Sequence, residues 1–238
     1  MMENIYFEFK QFRVRHDRCA MKIGTDGVML GAWCDVGQAT AILDIGTGTG
    51  IIALLTAQRS NARIIGIDID REAVEQACEN AMNSPWSDRI SIFNCDALSC
   101  SSMFSEHSFD LIVSNPPFYE NALDSTDKRR NSARNESSLP FESLIDTVTI
   151  LLHVKGRFNV ILPYVSAERF IYNCWERGLY LYRRTNVYTK SGKKASRVML
   201  GFSFQKQSPE ETVLFIRKSD GTLTPEYIAL VGDYYVKL

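Results

Sequence analysis

From residue 40 onward the chain alternates short apolar runs with longer stretches whose hydrophobic residues recur every three or four positions. The apolar runs are residues 40–46 (TAILDIG), 62–70 (ARIIGIDID), 90–97 (ISIFNCDA), 109–117 (FDLIVSNPP) and 156–164 (GRFNVILPY). Short runs rich in β-branched residues, ended by Gly, Asp or Pro, read as buried strands. Between them, residues 50–60 (GIIALLTAQRS), 71–83 (REAVEQACENAMN), 141–153 (FESLIDTVTILLH) and 167–179 (AERFIYNCWERGL) have helical spacing. The second of these must stop at Ser84-Pro85, because proline neither donates to a helix nor lets its predecessor stay helical. Strands alternating with helices predict an α/β, doubly wound and mostly parallel sheet covered on both faces. Residues 180–189 and 196–204 predict a closing strand pair, antiparallel at one edge. Ahead of this pattern, residues 7–18 alternate apolar and polar positions and predict a small hairpin or edge strands. Residues 26–34 (DGVMLGAWC) predict a short helix leading into the core, and the tail from residue 225 starts as a helix.

Composition narrows the class. The 238 residues are 45% hydrophobic and 23% charged, as in ordinary globular proteins, and suffice for one domain. The formal net charge is −1, so any contact with a polyanion needs a local basic patch. The start, MMENIYFEFKQ, has no basic and apolar leader, and no stretch approaches the ~20 apolar residues of a membrane span. Six cysteines at irregular spacing, without a Cys-x-x-Cys pair, predict reduced thiols of a cytoplasmic protein and no metal site. His16, His107 and His153 are far apart in sequence and are given no catalytic or ligand role.

The candidate chemistry sits at strand ends. The first strand runs into Asp44-Ile-Gly-Thr-Gly-Thr-Gly50, directly before a helix. Glycines let backbone approach a ligand closely, and a helix start offers free N–H groups. A dinucleotide fingerprint needs a sixth-position glycine, and from Gly46 that position is Ile51, which disfavours a nicotinamide cofactor. Asp68 ends the second strand, placed to accept from ribose hydroxyls, and Asp96 ends the third, placed to accept from an adenine amino group. One such acid is most simply a helix cap, the role expected of Asp70. Asp44, Asp68 and Asp96 at successive strand ends point to a nucleoside-bearing cofactor. The fourth strand stops at Ser114-Asn-Pro-Pro-Phe-Tyr119, where the prolines fix Asn115 and the aromatics stiffly at a carboxyl end.

With Gly46, Gly48, Gly50, Asp68, Asp96 and Asn115-Pro-Pro-Phe118 in this order, the chain resembles class I S-adenosyl-L-methionine-dependent methyltransferases that act on amino groups. Residues 10–33, 79–90, the Asn-Pro-Pro-Phe strand end and the closing segment look, over nearly the full length, like the tRNA1(Val) (adenine-37-N6)-methyltransferase family. The resemblance implies a Rossmann-like class I methyltransferase sheet, with residues 1–39 covering the cofactor pocket and residues 40–238 forming the domain proper. It implies that the Asn115 side-chain oxygen and the Pro116 carbonyl accept from the target amine while Phe118 stacks on its ring. Lys22, Thr25 and Asp26 would help close the cofactor pocket. Position 118 is Phe where the family often has Tyr, which keeps stacking and removes the phenol. For Tyr119 the resemblance implies nothing.

A stacked loop adenine must be splayed out before it can be methylated, at a cost that stacking and phosphate contacts would offset. Lys128, Arg129 and Arg130 with Arg134, Arg183 with Arg184, and Lys190 to Arg197, including Lys193 and Lys194, form the candidate footprint for a tRNA partner. Two rivals stay open at this stage: the same chemistry on a release-factor glutamine or on DNA or ribosomal RNA adenine, and a non-catalytic nucleoside- or RNA-binding module.

Overall fold

The computed structural model describes residues 5–19, 23–116 and 140–238, apart from the side chain of residue 98. Phe118, Tyr119, Lys22, Lys128, Arg129, Arg130 and Arg134 therefore lie outside the described residues. The predicted hairpin forms as β1 (Tyr6–Glu8) and β2 (Arg13–Arg15), paired antiparallel. Helix α1 (Thr25–Trp33) follows, then β3 (Ala41–Ile45), α2 (Ile51–Arg59), β4 (Arg63–Asp68), α3 (Arg71–Met82) and β5 (Ile90–Asn94). A short α4 (Ala97–Cys100) precedes β6 (Phe109–Ser114). After residue 139 come α5 (Phe141–Leu151), β7 (Leu152–Pro163), a 3-10 turn over Tyr164–Ser166 and α6 (Ala167–Glu176). The chain ends with β8 (Tyr180–Lys190), β9 (Arg197–Ser203), β10 (Glu210–Arg217) and α7 (Pro225–Val231).

The main sheet has eight strands in the order β10-β8-β9-β7-β6-β3-β4-β5. All neighbours are parallel except β9, which enters between β7 and β8 and runs antiparallel to both. The antiparallel strand thus lies inside the sheet, and an unanticipated strand, β10, is the true edge. Starting from β3, the chain builds one way through β4 and β5, then returns to add β6 and β7 on the other side. The switch in direction falls between β3 and β6, where an open α/β sheet leaves a crevice at the carboxyl ends.

Both faces are covered, as the near-continuous apolar strands require. One core cluster joins α1, α2, α7 and hairpin residues Phe9, Phe12 and Val14 to the sheet. The other sits under α4, α5 and α6 around Phe158, Phe170 and Phe202. In α1 every residue from Gly27 to Trp33 is buried, which explains why its sequence has no polar face. All six cysteines are free, and burial pushes the thiols of Cys19 and Cys100 up to about 12. No described helix is long and apolar enough to cross a membrane.

Candidate active site

The switch point brings the two key loops together. Ile45, the last residue of β3, is registered against Ser114, the last of β6. The buried Ser114 hydroxyl donates to the Ile45 carbonyl at 2.8 Å, a crosslink between the strands. Gly46 therefore starts the glycine loop beside the point where Asn115, partly buried, and Pro116, buried, leave the sheet.

The loop's shape comes from three glycines in the left-handed region, Gly46 at φ +71, Gly48 at +55 and Gly50 at +80. A side chain on Gly46 or Gly48 would meet nothing within 4 Å among the described residues, so backbone conformation selects glycine there and the described residues leave space above the loop. Gly50 instead faces Ala77 of α3, where an added Cβ would sit 3.4 Å from the Ala77 Cβ. Beneath the loop lies Asp44, fully buried, whose Oδ2 accepts from the Thr47 hydroxyl at 2.7 Å. Among the described residues its Oδ1 makes no hydrogen bond of good geometry, and burial, partly opposed by the Thr47 hydroxyl and the Ala53 N–H, pushes the carboxyl up to about 7. Thr47 has room because β4 carries Gly66 beneath it, where an added Cβ would fall 2.8 Å from the Thr47 Oγ1.

Asp68 is partly buried at the end of β4. One of its oxygens accepts from the Gly48 N–H at 2.8 Å and the other from the Asp70 N–H at 3.0 Å. Burial raises its pKa, and these N–H groups act against the rise. Two N–H bonds leave a carboxylate further lone pairs to offer. Asp70 caps α3 through the Glu72 N–H, as expected of it. Asp96 stands just before α4, partly buried, and its carbonyl accepts from Ser99 and Cys100. A bare-backbone loop with space above it, flanked by two carboxylates at adjacent strand ends, fits a nucleoside carrying a short polar chain.

Helix α1 of the N-terminal segment lies beside Asn115. Gly27 of α1 faces Asn115, and a Cβ built there would lie 3.9 Å from the Asn115 Nδ2. One residue earlier, the Asp26 carboxylate is paired with the Arg197 guanidinium at 2.7 Å, while Thr25 is exposed. Arg197 opens β9 opposite Pro163 and Val187, so the exposed turn carrying Lys193 and Lys194 stands at the carboxyl edge of the sheet. Two other expected cations are engaged elsewhere. Arg183 lies over the Trp33 ring at 4.3 Å and donates to the Trp33 carbonyl. Arg184 is paired with Glu168 and bonded to Asn186. Both side chains are engaged within the fold.

Asn80 was not among the expected residues, and it ties the site together. Its side chain donates to the Thr49 carbonyl and to the Arg15 carbonyl, both at 2.9 Å, and accepts from the Arg15 N–H at 2.8 Å. Gln76, one turn earlier, accepts from the Arg18 N–H. Both are polar residues on the buried face of α3, among Ala73, Ala77 and Ala81, and that break in the apolar stripe is the signal that marks them. Near Asn80 lies an open groove of about 760 Å³ formed with Tyr6, Phe9 and Arg13. Its cations are already engaged, Arg13 and Arg15 with acids and Lys10 with the Gly232 carbonyl, so the space above the glycine loop is the better candidate for chemistry.

The geometry meets its relatives here. The family model for a methyltransferase domain matches residues 37–177. The chain is 47% identical to a tRNA1(Val) (adenine(37)-N6)-methyltransferase of Phocaeicola vulgatus, covering all of both chains. It is 41% identical to the protein of that name from Photorhabdus laumondii, covering 97% of this chain and 95% of the relative. Among solved structures, a predicted O-methyltransferase from Agrobacterium tumefaciens superposes with a TM-score of 0.69 at 20% identity, covering 88% of this chain and 96% of that one. A geranyl diphosphate C-methyltransferase from Streptomyces coelicolor, solved with S-adenosyl-L-homocysteine, gives 0.52 at 12% identity over 71% and 73% of the chains, a likeness of fold. The chain belongs to the S-adenosylmethionine-dependent methyltransferases and, within them, to the tRNA1(Val) (adenine(37)-N6)-methyltransferase family.

Proposed function

We propose that this chain is a cytoplasmic enzyme that transfers a methyl group from S-adenosylmethionine to the exocyclic N6 of adenine 37 in tRNA1(Val). The observation that carries the proposal is the crosslink of Ser114 to Ile45, which sets Asn115 and Pro116 beside the open glycine loop. When bound, the cofactor supplies an electrophilic methyl group on a cationic sulfur. The bare backbone at Gly46 and Gly48 receives its amino-acid part, Asp68 accepts from the ribose hydroxyls, and Asp96 accepts from the adenine amino group. Asp44 acts from beneath, holding Thr47 and with it the loop. Lys22, Thr25 and Asp26 border the pocket from the N-terminal segment.

On the substrate side, the Asn115 Oδ1 and the Pro116 carbonyl accept the two N–H bonds of the target amine, and Phe118 stacks on the ring. Two acceptors in fixed positions aim the nitrogen lone pair and stabilise the positive charge that grows on nitrogen, so positioning and electrostatics supply the rate. The target amine is neutral, so no side chain has to remove a proton before transfer; once methylated, the cationic nitrogen releases one N–H proton to water. The Lys193 and Lys194 turn takes phosphate next to this pocket, together with Lys128, Arg129, Arg130 and Arg134.

The test is transfer from methyl-labelled S-adenosylmethionine to total tRNA of cells lacking the enzyme, followed by nucleoside analysis. Label in N6-methyladenosine is expected, falling at least 100-fold with Asn115→Ala, on the order of the loss for a transition-state hydrogen-bonding group, while cofactor binding persists. Label in a protein or in ribosomal RNA, with none in tRNA, overturns the substrate.

A further inference from the structure

Helix α1 is anchored unequally at its two ends. At its C-terminal end, Arg59 donates to the carbonyls of Gly31, Ala32 and Cys34 at 2.9, 2.6 and 2.8 Å. The Trp33 indole N–H donates to Thr185 at 2.9 Å, and Arg183 lies over the Trp33 ring. The N-terminal end, which faces Asn115 through Gly27, begins at Gly24 without a side-chain cap. Among the described residues, that end is tied across the sheet by the Asp26–Arg197 ion pair, which spans 171 residues of sequence, and Arg197 also donates to the Ser196 carbonyl. The pair is partly shielded, with Arg197 37% and Asp26 26% exposed, so its attraction is stronger than that of a fully solvated pair.

We propose that Arg197 is a positioning residue for the methyl-transfer site: paired with Asp26, it clamps the first turn of α1 against Asn115 and so sets the wall shared by cofactor and target amine. Arg197 then acts through Asp26 and not on RNA phosphate, although it lies in a basic stretch of sequence. Loss of the clamp frees the end of α1 that borders the chemistry and leaves the bolted end in place. The proposal rests on the assignment of this site to methyl transfer and is indifferent to which RNA is the substrate.

The experiment compares the wild type with Arg197→Ala, Arg197→Lys and the reversed pair Asp26→Arg with Arg197→Asp. It reads equilibrium binding of S-adenosylhomocysteine, kcat on tRNA, and tRNA affinity over a salt titration. Arg197→Ala should weaken S-adenosylhomocysteine binding or lower kcat by about tenfold, within the range for a small misplacement of reacting groups. Arg197→Lys should retain most of the function, and the reversed pair should recover much of what Arg197→Ala loses. The salt slope of tRNA binding should not change, whereas loss of a phosphate contact lowers it by about 0.7 to 0.9. A lowered slope, or no recovery in a reversed pair whose thermal midpoint matches the wild type, overturns the proposal. If no RNA is methylated by the wild type, the assignment of substrate fails, while S-adenosylhomocysteine binding across the same variants still decides the clamp.

Discussion

At Asp44 a carboxyl group is fully buried, with one oxygen bonded to Thr47 and the other, among the described residues, without a hydrogen bond of good geometry. Burial disfavours its ionised form, and the value of about 7 against an ordinary 3.8 states the consequence. The sign follows from proton binding: between these values the folded state holds a proton that the unfolded state has released. Folding stability contributed at Asp44 is therefore full below pH 4 and declines as pH rises toward 7, by up to about 1.4 kcal/mol per pH unit. Asp44→Asn should flatten the fall in thermal midpoint across that window, and calorimetry at several pH values measures it. An unchanged profile would mean that Asp44 is ionised in the folded chain. At this scale the sequence was readable where chemistry and punctuation coincide. Gly46, Gly48, Asp68 and Asn115 could be placed at strand ends because glycine, aspartate and proline end strands. Asn80 and Ser114 were missed because their bonds go to backbone carbonyls far away in sequence, which no local pattern encodes.

Elements show the same division. The buried strands and the amphipathic α3 were legible from their periods, and α1 from its run of small and apolar residues. Strand β10 was not, because only Leu214 within it is buried and its polar start, Glu210 to Thr212, resembles a loop. An edge strand buries little, so the short apolar run at residues 213–216 stands alone, without the alternation or the following helix that marked the other strands. The α5–β7 junction misled for a different reason: the helix was expected through His153 but stops at Leu151, and β7 begins at the next residue without a turn signal. One glycine within an element carries a prediction. A methyl group on Gly66 of β4 would meet Ile92, which can rotate away, and Thr47, which is tied to Asp44. Gly66→Ala should cost about 1–3 kcal/mol, the usual penalty of overpacking, and should weaken cofactor binding because the displaced residue is in the glycine loop. Urea unfolding and equilibrium binding measure the two effects; a stability loss with unchanged affinity would show that the loop adjusts independently of β4.

The molecule as a whole has almost no net charge, so its attraction for RNA must be local. Among the described residues of the expected footprint, Lys193 and Lys194 are exposed at the carboxyl edge, while Arg183, Arg184 and Arg197 are paired within the fold. Replacing both lysines by Glu should weaken tRNA binding and lower its salt slope, and binding titrations at several salt concentrations would detect it. A slope equal to that of the wild type would remove the turn from the footprint. Sequence proximity had grouped all these cations together, and only packing separates those already engaged from those still available.

The hairpin near the start of the chain closes against its far end. Phe9 bridges Tyr235, the Lys10 N–H donates to the Tyr234 carbonyl, and the Lys10 ammonium donates to the Gly232 carbonyl. Helix α1 likewise packs against α7. A ribosome makes residues 5–33 well before their partners at 225–235, which follow about two hundred residues later. During that interval the sheet's own strands can pair in order, but Phe9 and the outer side of α1 have nothing to close on. The end of α1 beside Asn115 thus gains its full backing only after residues 225–235 have been made.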